Sequence, residues 1–96
     1  MRSRLSDHSV VRAVRDQVSS DLGGEAVILG LGTGVYYGLD SVGTFVWNLL
    51  QEPRTIASLR DAIMDEYDVD RERCEQDLLA LLERLMDEQL VEVVDA

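Results

Sequence analysis

Gly34-Val35-Tyr36-Tyr37-Gly38-Leu39-Asp40-Ser41-Val42-Gly43 is the stretch at which the chain changes its pattern. Before Leu39 the sequence is rich in valine and glycine, and from Asp40 onward it is rich in aspartate, glutamate and leucine. Val35, Tyr36 and Tyr37 favour an extended backbone because branched and aromatic side chains fit a pleated surface. Asp40 or Ser41 then supplies a helix N-cap, and Val42, Phe45, Val46, Leu49 and Leu50 follow at helical spacing. A strand therefore runs straight into a helix. The expected class is α+β, with strands first and helices after.

Working outward toward the N-terminus, Gly30-Leu31-Gly32-Thr33-Gly34 reads as a hairpin loop behind the apolar run Ala26-Val27-Ile28-Leu29. Ser19-Ser20-Asp21 and Gly23-Gly24 break the chain before that run, and Val10 to Val18 is a further β-rich segment with poor alternation. The expectation is a three-stranded antiparallel meander ending in Val35, Tyr36 and Tyr37. Toward the C-terminus, Glu52-Pro53-Arg54 ends the first helix, because proline disfavours the α conformation in its predecessor. Thr55 caps a second helix with Ile56, Leu59, Ile63 and Tyr67 on one stripe. Asp70 caps a third, Arg73 to Glu88, whose apolar face carries Cys74, Leu78, Leu81, Leu82 and Leu85. Leu90 to Val94 alternates as a short terminal strand. Three helices behind a three-stranded sheet make a winged helix-turn-helix-like order.

Ninety-six residues allow one domain, taken as residues 1–96. No apolar run approaches the roughly 20 residues that span a bilayer, and Met1 to Asp7 is polar rather than a secretory signal. With Cys74 as its only cysteine, the chain has no internal disulfide, and a cytoplasmic location without membrane contact is expected. The net charge of −10 is unevenly spread. Residues 1–60 hold six acids and six arginines, whereas residues 61–96 hold thirteen acids against Arg71, Arg73 and Arg84. Such a lobe repels phosphate backbones.

Most candidate chemistry fails on its residues. His8 is the only histidine and stands far in sequence from Cys74, so no nucleophile–base pair suggests itself. No CxxC pair or EF-hand spacing is present, and neither a metal nor a cofactor is expected. Gly30, Gly32 and Gly34 lack the lysine of a phosphate loop and precede a strand rather than a helix. Asp40-Ser41-Val42 resembles the serine site of acyl and peptidyl carrier proteins, but carriers place a long helix ahead of that serine. A winged-helix DNA-binding regulator is a second alternative, opposed by Glu72, Glu75, Asp77, Glu83, Asp87 and Glu88 on the third helix.

The last strand of a meander leaves backbone donors and acceptors unpaired on one side, so an extended peptide can add to it, with a tyrosine as anchor. A proline at Tyr36 or Tyr37 is expected to remove such edge donors. Gly34 to Gly43, then Val46-Trp47-Asn48-Leu49-Leu50, Glu52-Pro53-Arg54-Thr55, Asp77-Leu78 leading to Leu85, and Leu90-Val91 together resemble the PqqD-like proteins of lasso peptide gene clusters. The resemblance covers about residues 8 to 94. It implies a discrete, non-catalytic recognition element for ribosomally made, post-translationally modified peptides. Its fold would be a three-stranded sheet followed by three helices, and the precursor's leader peptide would bind as an added strand beside strand three. By the same resemblance the leader passes to a separate cysteine-type protease and an ATP-dependent macrolactam cyclase, and the chain acts as a standalone unit. Val35, Tyr36 and Tyr37 match the pairing strand, while Cys74, Glu75, Asp77, Leu78, Leu81 and Leu82 fall on the matching stretch of helix three.

Overall fold

The computed structural model describes residues 5–94. Strands β1 (Val10–Ala13), β2 (Gln17–Asp21), β3 (Ala26–Gly30) and β4 (Tyr36–Gly38) precede helix α1 (Ser41–Leu49). Strand β5 (Arg54–Thr55), helices α2 (Ile56–Glu66) and α3 (Arg71–Asp87), and strand β6 (Val91–Val94) follow. The α+β class is as expected, and the meander is β2-β3-β4, antiparallel throughout.

The sequence reading of Val10 to Val18 as one strand needs correction. That segment divides between two sheets, because β1 pairs with β5 and β6 while β2 pairs with β3. The chain bends at Arg15 and Asp16, where the Gln17 amide donates to the Arg15 carbonyl and the Leu31 amide to the Asp16 carbonyl. Ser19-Ser20-Asp21, read as a break, lies inside β2, which is solvent-exposed over most of its length and held by its ladder with β3. A strand carried by backbone pairing alone leaves no hydrophobic alternation to detect.

Each helix begins on a predicted cap. Asp40 Oδ1 accepts from the Gly43 amide at 2.8 Å, Thr55 Oγ1 from Ser58 at 3.1 Å, and Asp70 Oδ2 from Arg73 at 3.0 Å. At its other end α3 closes in a Schellman arrangement, with the Leu90 amide donating to the Leu85 carbonyl and Gln89 to Met86. Gln89 itself sits at φ +61°, a left-handed position that glycine usually takes. Val11, Ile28, Val46, Trp47, Leu59, Leu82 and Leu85 form the centre of the core. The N-terminal segment is tied to it by Arg60, only 5% exposed, whose Nη1 donates to Asp7 at 2.9 Å and to Glu75 at 3.0 Å. The Asp7 hydrogen bond, with the charges of both carboxylates, raises the Arg60 pKa against the opposing cost of burial.

Candidate functional site: an open strand edge beside the third helix

Strand β4 is an edge of its sheet, and its register decides which groups lie free. Ile28 stands opposite Tyr37 and Leu29 opposite Tyr36. The Gly30 amide donates to the Val35 carbonyl at 3.0 Å, and Leu39 donates to Ala26 at 2.8 Å. Antiparallel ladders alternate, so Val35, Tyr37 and Leu39 turn their backbone groups toward β3. The N–H and C=O of Tyr36 and Gly38 consequently point off the sheet.

Beside this edge runs a groove of about 560 Å³ between the β4–α1 corner and α3. Tyr37, Val42 and Val46 line one wall, and Cys74, Leu78 and Leu81 the other. The two walls meet there because Asp40 caps α1 immediately after β4, while the buried stripe of α3 draws that helix across it. The groove rim is charged. Arg73 Nε lies 3.3 Å from Asp77 Oδ2 in an exposed i,i+4 pair, worth on the order of a few tenths of a kcal/mol. Arg84 also lines the groove. Burial pushes the Cys74 thiol above its ordinary pKa, with Arg60 opposing and Asp77 and Glu75 adding to the rise. A thiol held in its protonated form is a poor nucleophile.

The residues singled out from the sequence fall into three groups. Tyr37, Cys74, Asp77, Leu78 and Leu81 come together around the groove. Val35 and Tyr36 lie along the same strand but contribute differently: Val35 precedes β4 with its carbonyl turned inward, and Tyr36 is 72% exposed on the face away from the groove. Leu82 and Glu75 stand elsewhere, Leu82 fully buried in the core and Glu75 bonded to Arg60. Helical spacing put Leu82 and Leu81 on one broad face, and only packing separates them. Gly38, Val42, Arg73 and Arg84 were missed. The spacing Asp77, Leu81, Arg84 on one helix face was a signal for the last of these, and a glycine inside a strand was a signal for the first.

Among the described residues no group of three His, Cys, Asp or Glu side chains is arranged to hold a metal ion. No helix among them is long and apolar enough to cross a membrane. Asp40 serves as the α1 cap, and the exposed Ser41 opens that helix behind four strands, an arrangement unlike a carrier helix bundle.

These features define a class: small α+β domains with an open strand edge facing a helix-lined groove. Residues 25–91 match the family described as Coenzyme PQQ synthesis protein D (PqqD), and the chain belongs to that family. It is 39% identical to TbiB1, solved in complex with the TbiA(beta) leader peptide. That match has a TM-score of 0.80 and covers 88% of this chain and 99% of that one. A lasso peptide synthetase B1 complexed with its leader peptide has 21% identity and a TM-score of 0.74 over 85% of this chain and 96% of that one. The PqqD truncation of Methylobacterium extorquens PqqCD was solved by NMR as a functional, stand-alone RiPP recognition element. It has 22% identity and a TM-score of 0.76 over 94% of this chain and 96% of that one. These two more distant likenesses bear on the fold alone. A comparison with curated proteins gives no match.

Proposed function

We propose that this chain is a non-catalytic, cytoplasmic adaptor that binds the leader peptide of a ribosomally made lasso peptide precursor. Residues 1–96 act as one recognition domain. The leader adds as a strand to β4, bonding to the backbone of Tyr36 and Gly38, and lays alternate side chains into the groove. Tyr37, Cys74, Leu78 and Leu81 form the apolar pocket, with Asp77 at the rim. Val35 and Leu82 support the strand and the helix from behind. The bound leader is then available to a separate cysteine-type protease and an ATP-dependent macrolactam cyclase.

The observation that carries this reading is the free backbone edge of Tyr36 and Gly38, which faces a preformed apolar groove. Main-chain bonds of that kind give affinity, and pockets for alternate side chains give selectivity. The likeness to a protein solved with a leader peptide supports the same occupant. Titration of a labelled synthetic leader, taken from the precursor gene beside this one, should give saturable binding. Absence of saturation at low salt would overturn the proposal.

A further inference from the structure

The strand edge has a second face. The same register that turns Tyr37 toward the groove places Leu29 and Val27 of β3, with Tyr36 and Gly38 of β4, on the opposite side of the sheet. At Gly38 this outer face lacks a side chain, and a Cβ added there would meet nothing within 4 Å. Gly38 is not among the residues with positive φ, so the backbone does not require glycine at this position. Glycine weakens a strand interior, and where backbone geometry does not demand it, it commonly leaves room for something that approaches closely.

The vacancy opens into a shallow notch of about 400 Å³ lined by Leu22, Glu25, Val27, Gly38 and Asp40 among others. Leu22, 67% exposed, is held at its wall by a turn in which the Leu22 amide donates to the Glu25 carbonyl at 3.0 Å. The Gly24 amide donates to Asp21 Oδ1 at 2.7 Å in the same turn. Val27 pairs with Gly38, and the register carried past the strand ends sets Glu25 opposite Asp40 on this outer face. The lining therefore combines aliphatic walls with two carboxylates and contains no cationic residue. Asp40 uses Oδ1 on the Gly43 amide, which leaves its charge to act at the notch.

A strand added to β4 must project alternate residues on both faces, and the residue opposite Gly38 projects over this notch whichever way the strand runs. We infer that the notch is a second, outward-facing subsite that reads a lysine or arginine of the bound peptide. The hydrocarbon stem lies on Leu22 and Val27, and the cationic head sits beside Glu25 and Asp40. This subsite rests on the strand-addition reading above and adds to it a side-chain preference at one defined position.

The test uses the fluorescein-labelled leader from the neighbouring precursor gene, with each position replaced in turn by Lys, Glu or Ala. Binding is measured by anisotropy to the wild type, Gly38→Val, Leu22→Ser and Glu25→Gln. On the wild type one position should favour Lys over Glu by roughly tenfold, the gain falling as salt rises. Glu25→Gln should reduce that preference to about threefold, and Leu22→Ser should weaken the Lys peptide. Gly38→Val fills the notch while suiting a strand, so among the peptides that it still binds the preference for Lys should be gone. A wild-type scan without any Lys-favouring position, or a Gly38→Val protein that keeps the preference, overturns the subsite but not strand addition. Failure of the wild type to bind any peptide of the set overturns both.

Discussion

Cys74 shows how one residue's surroundings become a measurable property. The residue is 5% exposed, and burial raises the pKa of its thiol above the ordinary 9.0. The folded protein therefore keeps the proton at a pH where the unfolded chain releases it. Stability from this group is fully present below about pH 9 and declines as pH rises through the unfolded value toward the folded one. Urea denaturation between pH 8 and 10.5 should show that decline in the wild type and a flatter profile in Cys74→Ala. Parallel profiles would remove Cys74 as the cause. Alkylation of the native thiol should likewise be slow at pH 8 and become fast in denaturant.

Strand β4 and helix α3 each make a prediction as elements. Because backbone groups alternate along β4, prolines one residue apart should behave differently. Tyr36→Pro removes an N–H that points off the sheet, so the protein should fold with little loss of stability while leader affinity falls at least about tenfold. Tyr37→Pro removes a bond to β3 and should destabilise the fold by about 3 kcal/mol. Circular dichroism melts beside binding curves distinguish the two, and equal binding by a folded Tyr36→Pro protein would contradict strand addition. At the C-terminus of α3, Gln89 occupies a left-handed position at φ +61°. Gln89→Gly should raise stability by about 0.5 to 1 kcal/mol, since glycine adopts that conformation without a Cβ clash. A lower melting temperature would show that the Gln89 side chain contributes more than its backbone strain costs.

At the scale of the whole molecule, Arg60 connects parts that are distant in sequence. Its guanidinium joins α2 to Asp7 in the N-terminal segment and to Glu75 on α3, the helix that walls the groove. The two carboxylates stay 46% and 37% exposed, so much of their charge interaction is screened. Arg60→Met should therefore cost about 1 to 2 kcal/mol rather than the larger loss typical of fully buried pairs. In a domain of this size that lowers the melting temperature by roughly 4 to 8 °C per kcal/mol. The double variant Arg60→Met/Asp7→Asn should lose less than the sum of its singles, and strict additivity would mean that the ion pair contributes nothing.

The helices were legible because caps and apolar spacing are local: Asp40, Thr55 and Asp70 bond to amides three residues on, whatever lies elsewhere. Four strands precede α1 where three were read, but an antiparallel meander ending in an edge at Tyr36 and Tyr37 was legible. The division of Val10 to Val18 between two sheets was not, since it depends on β5 from the middle of the chain and β6 from its far end both reaching β1. Nor was the separation of Glu75 from the groove, which is set by Arg60 fifteen residues earlier. The sequence by itself determined the class, the helices and the strand that carries the open edge, because those follow from periodicity and short-range hydrogen bonds. Only the tertiary structure decided that Tyr36 and Gly38 turn their backbone outward, and that Tyr37 and Leu81 line the groove while Leu82 fills the core. Strand register and helix packing are relations between distant residues, and a single sequence does not display them.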